Sequence, residues 1–286
     1  MHFRFVILCL AVCALLPITG CDDDAASTAG GTAAAVAGPQ PGHAVGKVTM
    51  ADGKPITLPE ADISFSISGV GMASENLSYT PIVKPDGSYK QKLAPGGFRS
   101  QGGSVEFQYE GERFKLPLEP VGPNWNRSQE SGEGIVQDYV LKTTGERPRG
   151  DKDVNNRHNW YGLTVALSWT SWLQDVGKAP PTIPDKAKLI FTLKPTVEKT
   201  IDGQPAKTIT LERAFDATWK MAPALHDQPI AHYELTGECV MPDGARKRVM
   251  FCPSYAKYTP SIALKATPDM VTLGAYVNTV WFHTEE

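Results

Sequence analysis

The chain has 286 residues and a formal net charge of −3 at pH 7, with 28 Lys and Arg residues against 31 Asp and Glu. No Lys- and Arg-rich run occurs in it, which excludes the electrostatic footprint that nucleic-acid binding requires. The length suits one large domain or two smaller ones.

Residues 1–20 have the pattern of an export signal. Arg4 is the only charged residue, and an uncharged, mostly apolar run at 5–16 follows it before Pro17. As a helix this run would be about 18 Å long, which is too short for a bilayer core of about 30 Å. We therefore predict a cleaved signal peptide over 1–20.

The residues that follow, Ile18-Thr19-Gly20-Cys21, resemble the lipobox of bacterial lipoproteins, where small residues precede an acylated cysteine. The resemblance implies cleavage before Cys21, lipidation of Cys21, and a protein that is anchored to a membrane and faces the periplasm or the exterior. An ordinary signal with a chance cysteine is the alternative. No later apolar stretch is long enough to span a bilayer, so lipid is the predicted membrane attachment.

Residues 21–42 comprise this cysteine and a predicted disordered linker. The linker is rich in Asp, Ala, Gly and Thr and has no large side chain. It cannot bury enough apolar surface to offset the entropy of ordering it. We expect it to act as a tether between the anchor and the folded part.

Short strands are predicted from His43 onward. Ile63, Phe65 and Ile67 alternate with polar residues, as in a half-buried strand, and Asp-Gly pairs mark turns. Further strands are expected at 44–49, 88–93, 105–109 and 113–118.

A family resemblance rests on five segments in this order: Gly46-Lys47-Val48, Asp52-Gly53-Lys54-Pro55, Ala61-Asp62-Ile63-Ser64-Phe65, Asp86-Gly87-Ser88-Tyr89 and Leu93-Ala94-Pro95-Gly96-Gly97. Together they resemble the carboxypeptidase-regulatory-like domain. The resemblance implies a transthyretin-like (prealbumin-like) β-sandwich, which we assign to residues 43–118.

Residues 119–286 are predicted to form a second β-rich domain of sandwich type. Apolar runs recur in them at roughly ten- to twenty-residue intervals, without a sustained helical stripe. Strands are expected at 135–142, 163–169, 189–193, 208–215, 230–235, 247–252, 262–266 and 271–282. The predicted class of the whole chain is all-β.

Cys239 and Cys252 flank a predicted hairpin turn. A two-residue loop at Asp243-Gly244 would place Cys239 opposite Arg248 and leave the cysteines out of register, whereas a loop centred on Ala245-Arg246 would place them face to face. Because an exported chain meets an oxidising compartment, we favour a disulfide. Two buried thiols are the alternative.

One polar loop was compared with calcium-binding loops. Asp151, Asp153 and Asn155 match the D-x-D-x-N order, whose alternate oxygens can converge on a cation. Asn156 stands where that loop has glycine, and Gly162 stands where it has the bidentate glutamate. We therefore predict no metal and no cofactor, although these three residues stay candidates for ligand binding.

Aromatic residues beside polar loop residues are the other candidates. Trp125, Trp160 and Tyr161 could stack on sugar rings while the neighbouring amides of Asn124 and Asn159 bind hydroxyls. We favour packing on a core as the use of these rings, with carbohydrate binding as the alternative.

No familiar catalytic motif is present, neither G-x-S-x-G, nor a phosphate-binding loop, nor G-x-G-x-x-G. We predict a non-enzymatic, envelope-anchored lipoprotein that binds or assembles at the cell envelope. Its expected partners are the membrane, through the lipid, and an envelope protein or polysaccharide. The alternatives are a carbohydrate-binding surface protein, a structural spacer, and a hydrolase or metalloenzyme with an unrecognised site near Asp151, Asp153, His158 and Trp160.

Overall fold

The computed structural model describes residues 38–71, 75–122, 127–147, 160–169, 183–215, 224–252, 258–268 and 276–284. Strands form almost all of the regular structure in these ranges, and a single short 3-10 turn lies at Ser131–Glu133. The predicted all-β class is therefore confirmed. Among the described residues, no helix is long and apolar enough to cross a membrane.

The first sheet assembly has nine strands, in the order β3-β2-β5-β6-β9-β1-β4, with β7 beside β5 and β8 beside β1. The strands are β1 His43–Met50, β2 Asp62–Val70, β3 Ser78–Tyr79, β4 Ser88–Lys92, β5 Gly97–Tyr109, β6 Glu112–Val121, β7 Gln129–Glu130, β8 Ile135–Val136 and β9 Asp138–Leu141.

The second sheet assembly has eight strands, in the order β12-β11-β14-β15-β17-β10-β13, with β16 beside β14. The strands are β10 Leu163–Trp169, β11 Lys188–Pro195, β12 Ile209–Ala214, β13 Leu225–Gln228, β14 Tyr233–Val240, β15 Arg246–Cys252, β16 Ser261–Leu264 and β17 Tyr276–Thr284.

Strand β1 is hydrogen-bonded on both sides. It runs antiparallel to β4 and parallel to β8 and β9, with one constant register along both (Val45 opposite Val136, Val48 opposite Tyr139). The interruption between β8 and β9 falls at Gln137, whose amide still bonds the Val45 carbonyl at 3.0 Å. In effect, β8 and β9 form one strand with a local irregularity.

Aromatic side chains fill the cores of both assemblies. In the first, the Phe65 ring lies 4.8 Å from the Tyr89 ring and 4.4 Å from the Tyr139 ring, between centroids. In the second, the Phe191 ring lies 6.1 Å from the Phe282 ring and 6.4 Å from the Phe251 ring. All six rings are at most 3 % exposed, so each assembly buries its own aromatic cluster.

The predicted boundary at 118/119 falls within strand β6, which runs without a break from Glu112 to Val121. Strand β9 then pairs with both β6 and β1, so the first assembly extends to Leu141. Both assemblies belong to one compact unit, Ala37–Glu286. That they fold as separate domains stays a prediction.

The predicted disulfide is not formed. Cys239 lies opposite Lys247 across the β14–β15 hairpin. Cys252 lies opposite Trp281 in the register between β15 and β17. The five-residue offset between Lys247 and Cys252 is roughly 17 Å along the strand, far beyond the reach of a disulfide. The turn centres on Asp243-Gly244, and both cysteines are buried.

Candidate functional site

Most of the predicted site residues lie outside the part of the chain that the structure describes. These are the lipidation site Cys21 and the ligand candidates Trp125, Asp151, Asp153 and Asn155. The structure places two of the candidates, Trp160 and Tyr161, at the start of β10. The catalytic alternative shares this outcome, because only Trp160 of its residues is described.

Trp160 and Tyr161 close the base of the segment 148–159. Trp160 forms a bridge with Glu146, and its carbonyl accepts a hydrogen bond from Arg147 Nε at 2.9 Å. The Tyr161 amide donates to the Gly145 carbonyl at 3.0 Å. The two ends of this segment are thus fixed side by side on the sheet frame.

The Tyr161 ring is used for packing. The guanidinium of Arg147 lies 4.8 Å from the ring centroid and the Lys142 ammonium lies 5.5 Å from it. Only 5 % of the residue is exposed, and burial raises the pKa of its hydroxyl. The ring is therefore covered by neighbouring side chains among the described residues.

Trp160 and His226 stack on each other, with ring centroids 5.8 Å apart and an interplanar angle of 23°. Burial, followed by the charge of Arg213, lowers the pKa of His226. The hydrogen-bonding atoms Trp160 Nε1, Tyr161 Oη and His226 Nδ1 are buried without a partner among the described residues. The neutral imidazole thus completes a packed aromatic layer.

Asp227 connects the stack of Trp160 and His226 to the chain at Gly145. Its carboxylate accepts the Gly145 amide at 2.8 Å and the Gly162 amide at 3.2 Å, and its own φ is 57°. Burial raises the pKa of this carboxyl, although the two amide donors oppose the rise. Asp227 is therefore a structural clamp between residues on both sides of 148–159.

A second feature recurs along the chain, an Asp-Gly turn with one hydrogen-bond pattern in four places. In each turn, the amide of the residue two positions before Asp donates to the carbonyl of the residue that follows Gly. The carbonyl of that same residue two positions before Asp accepts a hydrogen bond from the glycine amide. The glycine φ is between 80° and 87° in all four, which favours glycine. The turns are those of Asp52-Gly53, Asp86-Gly87, Asp202-Gly203 and Asp243-Gly244.

The turns at Asp52 and Asp202, each with the order Asp-Gly-x-Pro, face each other across a cleft of about 460 Å³. We call it the turn cleft. Polar groups of both assemblies line it, with apolar residues at its base. The lining residues include Asp52, Lys54, Leu58, Leu141, Thr143, Asp202 and Gln204.

Hydrogen bonds between the two assemblies hold the turn cleft in shape. Thr143 Oγ1 donates to Asp202 Oδ2 at 2.9 Å, and the Thr200 hydroxyl bonds the other carboxylate oxygen. Nearby, the Tyr109 hydroxyl donates to the Lys199 carbonyl at 3.0 Å. On the first assembly, Asp52 bonds both the amide and the ammonium of Lys54.

Asp-Gly pairs predict turns in the sequence, but the Asp202-Gly203 turn was not singled out as part of a site. The repetition of Asp-Gly-x-Pro was the available signal for a matched pair of turns. That the two turns meet depends on contacts 90 residues apart, such as Tyr109 with Lys199, which no local pattern contains. Within the described ranges, no group of three or more His, Cys, Asp or Glu side chains converges as a metal site would require.

No protein-family model and no curated protein matches the sequence. Solved structures overlap it only distantly. A leucine-rich repeat protein from Bacteroides thetaiotaomicron has a TM-score of 0.22 and 12 % identity over 79 % of this chain, which spans 24 % of that protein. The major pilin from Streptococcus pyogenes has a TM-score of 0.23 and 10 % identity, covering 85 % of this chain and 97 % of the pilin.

A DUF3823 family protein from Bacteroides ovatus gives a TM-score of 0.22 and 12 % identity, covering 80 % of this chain and all of that one. Similarities at this level assign neither a family nor an activity. The resemblance to the carboxypeptidase-regulatory-like domain stays a prediction.

Proposed function

We propose that this chain is a non-enzymatic lipoprotein of the bacterial cell envelope, anchored through Cys21, that binds a ligand or partner segment in the turn cleft. The observation that carries the proposal is that cleft. It lies where the two sheet assemblies meet, and its volume of about 460 Å³ is within the usual range of ligand sites.

Preorganisation of the polar groups supports a binding role. Thr143 and Thr200 hold the Asp202 carboxylate from two directions, and both threonines are 5 % exposed. The Gln204 side chain on the same turn is exposed, as is Lys54 on the facing turn. A ligand would therefore meet fixed acceptors and two adaptable polar side chains, at a small cost in ordering entropy.

The chemistry of the lining indicates the kind of ligand. Carboxylate, amide, hydroxyl and ammonium groups surround an apolar base made of Leu58 and Leu141. Such a surface suits a ligand with hydrogen-bonding groups on one side and an apolar side, as in a polysaccharide or an extended peptide. Both occur in the envelope to which a lipoprotein signal would deliver the chain.

The binding test uses the chain from residue 21 with Cys21→Ser, which removes the acylation site. Soluble polysaccharides, peptidoglycan fragments and envelope proteins are screened, and Kd is measured for those that bind. We expect Lys54→Ala with Gln204→Ala to weaken binding at least about tenfold, the loss typical of a few contacts. The matched control, Lys115→Ala with Gln91→Ala, changes an exposed lysine and a partly exposed glutamine outside the turn cleft and should keep the wild-type Kd.

Equal Kd values for the cleft and control variants would reject the turn cleft as the site. Hydrolytic turnover of a bound polysaccharide or peptide would reject the non-enzymatic assignment.

The anchor is tested separately, in cells fed labelled palmitate. We expect label on the wild-type chain and none on Cys21→Ser. An unlabelled wild-type protein, or equal labelling of both, would reject the anchor.

A further inference from the structure

The outward face of strands β1 and β4 carries a group of basic residues. In the register between these strands, Lys92 lies opposite His43 and Lys90 lies opposite Val45. Lys84 joins them, because its amide donates to the Ser88 carbonyl at 2.8 Å. Lys84, Lys90 and Lys92 are exposed. We call this surface, made of His43, Ile82, Lys84, Lys90 and Lys92, the basic face.

The basic face also carries the most exposed large apolar residue of the described chain. Ile82 is 86 % exposed, more than twice the fraction of Val70 or Leu77. Val83 bridges to Tyr89, and this antiparallel register brings Ile82 level with Lys90. An isoleucine this exposed beside lysines gives the basic face an apolar side chain that a membrane interface can bury.

Positive charges outnumber negative charges on the basic face. None of the salt bridges between described residues includes Lys84, Lys90 or Lys92. Asp86 is the acidic residue nearest in sequence. Its carboxylate accepts hydrogen bonds from the Ser88 amide and hydroxyl at 2.9 and 2.7 Å, and it also interacts electrostatically with Lys84. On a chain with a net charge of −3, this is a locally positive surface.

The basic face lies beside the point where the chain enters the fold. Residues 38–42 lead directly into β1, and the Leu93 amide at the end of β4 donates to the Gly42 carbonyl at 2.9 Å. The segment that connects Cys21 to the fold therefore arrives at the edge of this face. If the linker predicted from the sequence is a random coil, its average span of roughly 25 Å would bring a membrane that holds Cys21 within reach.

We propose that the basic face docks on the anionic lipid headgroups of the membrane that holds Cys21, with Ile82 entering the interface. This rests on the proposed anchoring and deepens it. Each lysine near an anionic bilayer adds attraction, and one apolar side chain adds contact with the acyl boundary. Docking would restrain the protein on its tether and fix which surfaces, the turn cleft included, point away from the bilayer.

The test uses the unacylated chain from residue 21 with Cys21→Ser, so that docking is measured without the anchor. Binding to vesicles of phosphatidylcholine is compared with binding to vesicles that contain about one third phosphatidylglycerol. We expect the anionic vesicles to raise the partition coefficient at least about tenfold. The gain should disappear when salt is raised from about 0.1 M to about 0.5 M.

Two variants locate the binding. Lys84→Glu/Lys90→Glu/Lys92→Glu should abolish the preference for anionic vesicles, and Ile82→Ser should weaken binding several-fold at unchanged charge. The matched control, Lys194→Glu/Lys199→Glu/Lys207→Glu, makes the same change in net charge at exposed lysines of the second assembly and should keep the preference. Circular dichroism confirms that each variant is folded.

Equal binding to both vesicle types, or an equal loss in the control triple variant, would overturn the proposal. Failure of docking leaves palmitate labelling of Cys21 unaffected. Failure of the anchor is seen only in labelling, so the two are distinguishable.

Discussion

Gly46 lies directly against the carbonyl group of Gln137. A Cβ at position 46 would overlap the Gln137 oxygen and would lie 2.9 Å from Cε1 of Tyr89. The same carbonyl accepts the Tyr89 hydroxyl at 2.6 Å. The glycine is therefore required by close approach of two backbones, at the place where the β1 ladder passes from β8 to β9.

Replacing Gly46 with Ala should lower the free energy of unfolding by at least about 2 kcal/mol, because backbone atoms cannot yield as a flexible side chain would. Urea unfolding of the two proteins measures this loss. Gly102→Ala, in strand β5 of the same assembly, is the matched control, since nothing lies within 4 Å of a Cβ there. It should change stability by no more than about 0.5 kcal/mol. Similar losses in both variants would contradict the close approach.

Tyr109→Phe should cost about 1 kcal/mol of unfolding free energy, because it removes the hydrogen bond to the Lys199 carbonyl and keeps the ring contacts. Lys199→Ala serves as the control, because the hydrogen bond uses the Lys199 backbone carbonyl and the lysine side chain is exposed. It should change stability by no more than about 0.5 kcal/mol. Denaturant unfolding of both variants gives the comparison, and a larger loss in Lys199→Ala would contradict it.

Protonation of His226 should lower the free energy of unfolding as the pH falls below neutrality. Burial lowers the pKa of this imidazole in the folded protein, so between its ordinary value of about 6.5 and the lower folded value the unfolded chain binds more protons. The unfolding free energy is thus greatest above that window and decreases as the pH falls through it. Unfolding measured from about pH 7 to about pH 5 should show a shallower slope in His226→Gln.

Identical slopes for wild type and His226→Gln would reject this origin. Asp227 has the opposite sign at lower pH, because burial raises the pKa of its carboxyl and stability is lost as the pH rises through that range.

Cys239 and Cys252 should both remain reduced. Residues 22–286, exported to an oxidising compartment behind a cleavable signal peptide and then unfolded without reductant, should react with a thiol reagent at two sites per chain, since Cys239 and Cys252 are the only cysteines after residue 21. In the folded protein the reaction should be slow, because both residues are buried and burial raises the pKa of the Cys239 thiol. A reductant should leave the Tm unchanged. Loss of both thiols would contradict the hairpin register.

Local sequence patterns predicted most of the strands and turns. Phe65 and Ile67 are buried as their alternation predicts, and Asp-Gly pairs do form the turns. The alternating pattern did not predict the register shift between β2 and β5, where Phe65 lies opposite Gly103 but Ile67 lies opposite Ser100. One extra residue is accommodated there, so that Gly97–Tyr109 continues as a single strand, whereas the sequence predicted a strand only at 105–109.

The site was less predictable than the fold because its residues are brought together by contacts between distant segments. Aromatic character pointed to Trp160 and Tyr161, but the same property suits a core. Arg147 lies over the Tyr161 ring and His226 stacks on the Trp160 ring, and no local sequence pattern contains these contacts. The cysteine pairing depended on which residues form one turn, and two loop positions gave opposite answers. Only the observed pairing of Cys239 with Lys247 separates them.

The two-sided bonding of β1 has a mechanical consequence. Tension applied to the chain before residue 38 is transmitted to the fold at His43 and acts along the axis of β1. Strand β4 lies on one side of β1, and β8 and β9 lie on the other. Such tension shears several hydrogen bonds at once instead of unzipping them singly. A protein held at its amino-terminal side against flow or growth of the surrounding wall would therefore resist extraction at its first strand.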